Sequence, residues 1–303
     1  MSWDRAVRVD APTEQNNPRT KDIDLLPTLD ILHVLNSEDR TVPVAVGRVL
    51  PDLAQAVDMA VAALHAGGRV HYVGAGTSGR LAVLDAAELI PTFNVPPDWI
   101  VAHQAGGAEA FQHAVENAED DPDSGAAVIR ENAGGRDFVL GLAASGRTPY
   151  VLGALAAAQD LGARTALVTS NPDVGEVPAD VVIAVDTGPE PISGSTRMKA
   201  GTAQKLVLTS FSTAVMIRMG RTYSNLMVSM LATNAKLRGR TISILQEATD
   251  APEEVCSAAL TAAGGDLKTA LVHLLTGVDI ERAAAALALS EGHVRDALHT
   301  LGT

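Results

Sequence analysis

Cysteine is almost absent from this sequence. Cys256 stands alone among 303 residues, which excludes an intramolecular disulfide framework and leaves little basis for a Cys-based metal site. A lone thiol suits a reducing compartment, so a cytoplasmic location is expected. Positive charge is scarce too: 23 Lys+Arg against 36 Asp+Glu give a net charge of -13. No general attraction to nucleic acid or to an anionic membrane follows from that balance. An anionic ligand must then be caught locally, and helix N-termini do this without altering net charge, because they present unpaired N–H donors and partial positive charge. Long apolar runs are missing as well. The alanine-rich stretch Ala283 to Leu289 falls well short of the roughly 18 residues that would span a bilayer. The polar stretch Met1 to Arg19 holds no apolar core of the kind a secretory leader needs. No repeat of solenoid period is evident.

What the chain does have is 47% hydrophobic and 19% charged content, enough for one large domain with a small appendage. From Val42 to His65 the apolar residues recur at helical spacing, predicting one helix that stops at Gly67-Gly68. Val70 to Val73 then reads as a strand, the loop Gly74 to Arg80 follows, and Leu81 to Leu89 reads as a helix. Trp99 to His103, Asp137 to Ala143, Arg164 to Thr169 and Asp180 to Val185 read as further short strands separated by mostly helical sequence. Such alternation predicts an α/β fold, a parallel sheet with helices on both faces. Beyond Met198 the pattern turns helical, and from about Ala251 short helices dominate (253–263, 267–275, 280–289 and 294–301), a small C-terminal helical module. The expected division is an N-terminal helical arm (1–55), an α/β domain (56–248) and the C-terminal module (249–303).

In parallel sheets ligands gather at the carboxyl ends of the strands, which directs attention to the loops after Val73, Ala143 and Val185. The first, Gly74-x-Gly76-x-x-Gly79, formally matches the dinucleotide fingerprint. That fingerprint also requires an acidic residue at the end of the next strand to hold a ribose hydroxyl, and here His103-Gln104-Ala105 supplies none. Thr77 and Ser78 instead place two hydroxyls at a helix start, which suits a single phosphate. The second loop, Ala143 to Pro149, offers Ser145 and Thr148 just ahead of a proline at a helix start. The third, Ser193 to Thr202, again joins hydroxyls, Ser193 and Ser195 among them, to a helix start. One such loop is ordinarily a capped turn; three at one sheet edge favour a phosphate site.

Acidic residues near these loops are Glu88, one to two helical turns after the first, and Glu116 to Asp120, expected to end a helix that begins near Gly106-Gly107. A glutamate on a helix usually faces solvent, and Glu109, Glu116 and Asp120 are read that way. Residue type alone leaves Glu88 and Glu119 balanced between that role and a pocket role. Arg147, Arg197 and Lys199 read as structural ion-pair members, and His103 and His113 as hydrogen-bonded structural residues.

Taken in order, Glu38 to Pro43, Gly74 to Leu81, Gly106-Gly107, Ala118 to Asp120, Ala143 to Tyr150 and Ser193 to Lys205 closely resemble the N-acetylmuramic acid 6-phosphate etherases of the sugar isomerase (SIS) fold group. The usual Asp-Ala-Ser-Glu stands here as Asp85-Ala86-Ala87-Glu88, with the glutamate kept. The resemblance implies a flavodoxin-like three-layer sandwich. It also implies cleavage of a D-lactyl ether to N-acetylglucosamine 6-phosphate and D-lactate, by elimination and then hydration, in cell-wall amino-sugar recycling or catabolism. Matching positions make Glu88 the acid for the departing ether oxygen and Glu119 the base. The fold group's pattern points to Ser78, Ser145 and Thr148 for the phosphate and Ser193 and Ser195 near the sugar, and Thr77 joins the substrate-binding set from the reading of the first loop. It implies a small-molecule sugar phosphate as partner, a homodimer, and neither cofactor nor metal; the C-terminal helices resemble a ubiquitin-associated-like module. The alternatives are a non-catalytic sugar-phosphate regulator of the glucokinase regulatory type, whose members are much longer, and an aldose-ketose isomerase of the same fold.

Overall fold

In the computed structural model, residues 11–113, 115–232 and 234–302 are described, so the first ten residues of the expected arm lie outside them. Contacts group the chain into two compact units, one formed by residues up to Ala86 with Pro97–Ser212, the other by Ala87–Pro96 with the chain from Thr213 onward.

The described part of the first unit opens with three 3-10 turns, Pro12–Glu14, Pro18–Thr20 and Ile23–Leu25, followed by α1 (Thr28–Asp39), α2 (Val42–Arg48) and α3 (Leu50–His65). The single helix expected over 42–65 is broken at Val49 (φ -103, ψ 9). Pro51 has no N–H to continue the ladder and disfavours helical backbone in the residue before it, so the helix restarts there. The α/β core follows as β1 (Val70–Gly74), α4 (Gly76–Phe93), β2 (Ile100–Gln104), α5 (Pro122–Asn132), β3 (Phe138–Leu142), α6 (Pro149–Asp160), β4 (Arg164–Thr169), β5 (Val181–Ala184) and α7 (Lys199–Arg218).

The five strands are parallel in the order β2-β1-β3-β4-β5. β1 and β3 are buried at every position, as expected of strands covered on both faces. On one face Val73, Val139 and Leu167 pack against Ile129 of α5 and Val151, Ala154 and Leu155 of α6. On the other, Phe211 of α7 stacks on Phe138 (5.8 Å between centroids) and meets Tyr72 edge-on (6.0 Å). Helices α5 and α6 approach closely because Gly125 and Gly153 face each other's backbone: a Cβ on either would overlap the carbonyl of Tyr150 or Pro122.

The helix expected from Gly106 to Asp120 does not form. Gly106 (φ 83), Gly107 (φ 67) and Asn117 (φ 63) adopt left-handed backbone, which ends a helix, and two 3-10 turns, Gly107–Phe111 and Ala118–Asp120, stand in its place.

The second unit contains the short antiparallel ladder of β6 (Thr222–Tyr223) and β7 (Leu226–Met227), then α8 (Ala235–Thr249), α9 (Glu253–Ala262), α10 (Leu267–Thr276), α11 (Ile280–Leu289) and α12 (Val294–Thr300). Asn234, Asp266 and Asp279 cap α8, α10 and α11 through their side chains, the usual source of N-terminal helix stability. Ile244 and Leu245 of α8 share a core with Cys256, Leu271 and Leu287. That packing carries the C-terminal unit back beyond the expected start at residue 249. At the other end, the boundary expected at 55/56 falls inside α3, whose Leu53, Ala56, Val57 and Ala60 form one buried stripe. Among the described residues no helix is long and apolar enough to cross a membrane.

Candidate functional site

With strand order β2-β1-β3-β4-β5, β1 has a neighbour on each side and the chain's crossovers diverge between β1 and β3. The loops that follow these two strands therefore flank a crevice at the carboxyl edge of the sheet, where open α/β sheets bind ligands. The first loop turns directly from β1 into α4. Gly74 and Gly79 lie so close that a Cβ on either would stand 2.7 Å from the other's backbone. The glycine spacing thus serves strand-to-helix packing and leaves Thr77 and Ser78 at the first turn of an 18-residue helix. The second loop enters α6 through Pro149, preceded by Gly146 at φ 71. Its shape is held from below: Thr169 Oγ1 donates to Ala144 O (3.1 Å), Asn171 Nδ2 donates to Ser145 O (3.2 Å), and Ser145 Oγ accepts from Arg147 N (3.2 Å).

These loops share a cavity of about 680 Å³ lined by Thr77, Ser78, Arg80, Ser145, Arg147, Thr148, Glu119, Asp120, Gly194, Thr196 and Glu14, together with loop backbone. Two helix N-termini and five hydroxyls at its wall suit one tetrahedral anion. Glu119 reaches this rim because Ala118 beside it packs against the α5–α6 core. Arg80 braces the preceding turn by donating to Ala110 O (2.7 Å) and Phe111 O (3.1 Å). Glu119 also lines an adjoining cavity of about 490 Å³ with Gly76, Arg80, Gln104 and Asn117.

Of the residues singled out in the sequence, Thr77, Ser78, Ser145, Thr148 and Glu119 thus meet in one cavity. Ser193 and Ser195 are not among its lining residues. The third loop presents Gly194 and Thr196 instead, while the Ser193 hydroxyl donates to Gln15 O (3.3 Å). Glu88 is exposed and does not line the cavity; it lies about 18 Å along α4 from Gly76 at the helical rise per residue. Lys199 is a structural ion-pair member, as expected: its side chain is 1% exposed and its ammonium donates to Glu38 Oε2 at 3.0 Å.

Two buried polar arrangements had no sequence signal. Glu190, fully buried, accepts from the amides of Lys199 (2.8 Å) and Ala200 (2.9 Å) and so caps α7, while burial raises its pKa. The other is a chain that runs across the sheet from β2 through β1 to the start of β3. With Asp137 Oδ2 as the acceptor, His71 Nε2 donates to it (3.2 Å), which leaves His71 Nδ1 to accept from His103 Nε2 (3.0 Å). Asp137 is oriented by the amides of Arg69 and Gly134, each 2.8 Å away. Burial lowers the pKa of both histidines, that of His103 to about 4 with help from the neighbouring His71. Both rings are therefore neutral at pH 7. His103 also edges a cavity of about 460 Å³ with Phe111 and Tyr150. The carbonyl of His113 accepts from Arg80 (3.4 Å). Among the described residues no group of three or more His, Cys, Asp or Glu is placed to hold a metal ion.

Residues 52–159 match the family described as the glucokinase regulatory protein N-terminal SIS domain. An N-acetylmuramic acid 6-phosphate etherase from Thermobifida fusca is 61% identical over 269 residues, which cover 88% of this chain and 88% of the relative. One from Pectobacterium atrosepticum is 49% identical over 288 residues, covering 94% and 95%. Among solved structures, a phosphoheptose isomerase from Francisella tularensis aligns over 63% of this chain and 100% of its own, with a TM-score of 0.48 and 22% identity.

Proposed function

Because the chain belongs to the N-acetylmuramic acid 6-phosphate etherase family, we propose that it is the carbon–oxygen lyase that converts N-acetylmuramic acid 6-phosphate to N-acetylglucosamine 6-phosphate and D-lactate. The observation that carries this reading is the switch-point cavity, in which phosphate-binding loops and Glu119 share one wall. A non-catalytic regulator has less support: the match to the regulatory protein's domain stops at residue 159, whereas etherase relatives run along almost the whole chain.

In this assignment Thr77, Ser78, Ser145 and Thr148, with the N-termini of α4 and α6, grip the 6-phosphate. The sugar ring opens, and its aldehyde acidifies the adjacent C2–H. Glu119 takes that proton; the electron pair forms the C2–C3 double bond and the C3–O bond breaks. Glu88 protonates the departing lactate oxygen. Glu119 releases that proton to solvent and then deprotonates the water that adds at C3, while C2 and Glu88 each take a proton from solvent. The steps balance with one acid, one base and water, and each positioned group typically contributes about 100- to 10,000-fold. Glu88 is exposed in a single copy of the chain, and Leu84, one turn earlier on the same face of α4, is 53% exposed. That face suits a homodimer in which α4 meets a second subunit. Ser193 and Ser195 keep a proposed place near the sugar through the third loop, and the cytoplasm is the proposed location.

The test is incubation with N-acetylmuramic acid 6-phosphate in heavy-oxygen water, followed by assay of free D-lactate. Lactate without label, and label on the sugar's third carbon, are expected. Absence of lactate defeats the reading, and label in lactate defeats the elimination route.

A further inference from the structure

A carboxylate from the N-terminal segment reaches the cavity and is not used by the reaction as assigned. Residues 11–20 form a strap across the loop that follows β5. Gly194 N donates to Thr13 O (2.9 Å) and Thr20 Oγ1 to Pro191 O (2.7 Å), while Asn17 Nδ2 donates to Pro189 O (3.3 Å). The strap is also tied inward. Buried Glu38 accepts from Asn17 Nδ2 (2.8 Å), from the Arg19 guanidinium and from Lys199 Nζ (3.0 Å). Lys199 is the first residue of α7, so the strap, the third loop and that helix are held as one piece.

The consequence is the position of Glu14. It closes the 3-10 turn Pro12–Glu14 and lines the cavity with Ser78, Ser145, Thr148 and Glu119. Its carboxylate lies over Gly194, where an added Cβ would stand 2.8 Å from Glu14 Oε2. Gly194 sits at φ 76, so both the backbone and the close approach call for glycine. Among the described residues, no protein group donates a hydrogen bond to the Glu14 side chain.

A carboxylate beside an anion site repels the anion unless the ligand brings donors of its own. Phosphate oxygens bring none, but a sugar brings several hydroxyls. We propose that Glu14 is a substrate-binding residue whose carboxylate accepts hydrogen bonds from hydroxyl groups of the bound sugar, so that the site selects a sugar phosphate over free phosphate. This rests on the etherase reading and adds a recognition element to that same site.

The experiment uses full-length wild-type, Glu14→Ala and Glu14→Gln enzyme. D-lactate release is measured against substrate concentration, and N-acetylglucosamine 6-phosphate and inorganic phosphate are each titrated by calorimetry. Losing a hydrogen bond to a charged group predicts a kcat/KM about 10- to 100-fold lower for Glu14→Ala. Its affinity for N-acetylglucosamine 6-phosphate should fall by a similar factor, with Glu14→Gln between it and wild type. Affinity for inorganic phosphate should hold or rise, because a negative charge has been removed. Unchanged sugar-phosphate affinity overturns the proposal. So does a parallel fall for inorganic phosphate, which would mean that the loops themselves had shifted. If wild-type enzyme releases no lactate, the etherase reading fails, and the two titrations still decide the role of Glu14.

Discussion

Glutamine in place of Glu38 tests whether the strap and α7 are held by one buried charge cluster. Glu38 is 3% exposed and Lys199 1%. Hydrogen bonding from Arg19, then from Lys199 and Asn17, outweighs burial and holds the Glu38 carboxyl at a pKa of about 2. Glutamine preserves the shape and one acceptor but strips the buried Lys199 ammonium of its hydrogen-bonded carboxylate, leaving Glu190 as the remaining nearby negative charge, which costs up to about 3–5 kcal/mol. Arg19, 57% exposed at its side chain, relaxes into solvent and adds little. At roughly 2–4 °C per kcal/mol for a chain of this class, the α/β unit should melt on the order of 10 °C lower, read by calorimetry because the chain has two units. The double replacement Glu38→Leu with Lys199→Met should recover most of the loss, since well-packed apolar groups substitute for a buried pair at little cost. The sign with pH is also fixed. The folded pKa lies below the ordinary value of 4.5, so the unfolded chain binds more protons between them. The carboxylate's contribution is complete above about pH 4.5 and is lost as pH falls through about 2; Glu38→Gln should lack that part of the acid sensitivity. A single variant within about 1 kcal/mol of wild type, or a double variant no better than the single, would refute the argument.

Glu119→Gln and Glu88→Gln should each lower turnover by at least about 100-fold with substrate binding largely kept; near-normal lactate release by either removes it from the mechanism. Ser145→Ala should act mainly on binding, by about 1.5–3 kcal/mol, and an unchanged KM would take Ser145 out of the phosphate site. Gly125→Ala forces a methyl against the Tyr150 carbonyl, so its loss in urea-unfolding stability should reach or exceed the upper end of the about 1–3 kcal/mol usual for overpacking. His103 titrates near 4 when folded, below its ordinary 6.5. Its neutral form therefore contributes fully above about pH 6.5 and the contribution is lost as pH falls through about 4, up to about 3 kcal/mol. His103→Gln should flatten the stability profile in that window, and an unchanged profile would show that His103 is not buried in the neutral form.

How far the sequence carried these conclusions depended on whether a signal was local. β4 and α11 were legible to the residue, because β-branched runs and Asp caps act within a few positions. The break at Val49 was legible in principle through Pro51, but the helical spacing of apolar residues on either side masked it. The segment from Gly106 to Asp120 was misread for the opposite reason. Its composition allows a helix, and only the left-handed backbone at Asn117 turns the chain so that Ala118 meets the core and Glu119 the crevice.

The same distinction separates the candidate site residues. Ser78, Ser145 and Thr148 were recoverable because each stands where a strand gives way to a helix, and parallel-sheet topology gathers such junctions at one edge whatever the distant packing does. Ser193, Ser195 and Glu14 depend on how a second stretch of chain crosses the third loop. In the sequence Glu14 is one polar residue in a polar stretch, more than a hundred positions from Gly194. What brings the two together is a cluster of Asn17, Arg19, Glu38 and Lys199, residues far apart in the sequence that become one hydrogen-bonded unit, with Asn17, Glu38 and Lys199 buried, only in the folded chain. The proposed contact of the strap with the sugar therefore depends on the folded structure, whereas the hydroxyl-bearing loops proposed for the phosphate are legible in the sequence.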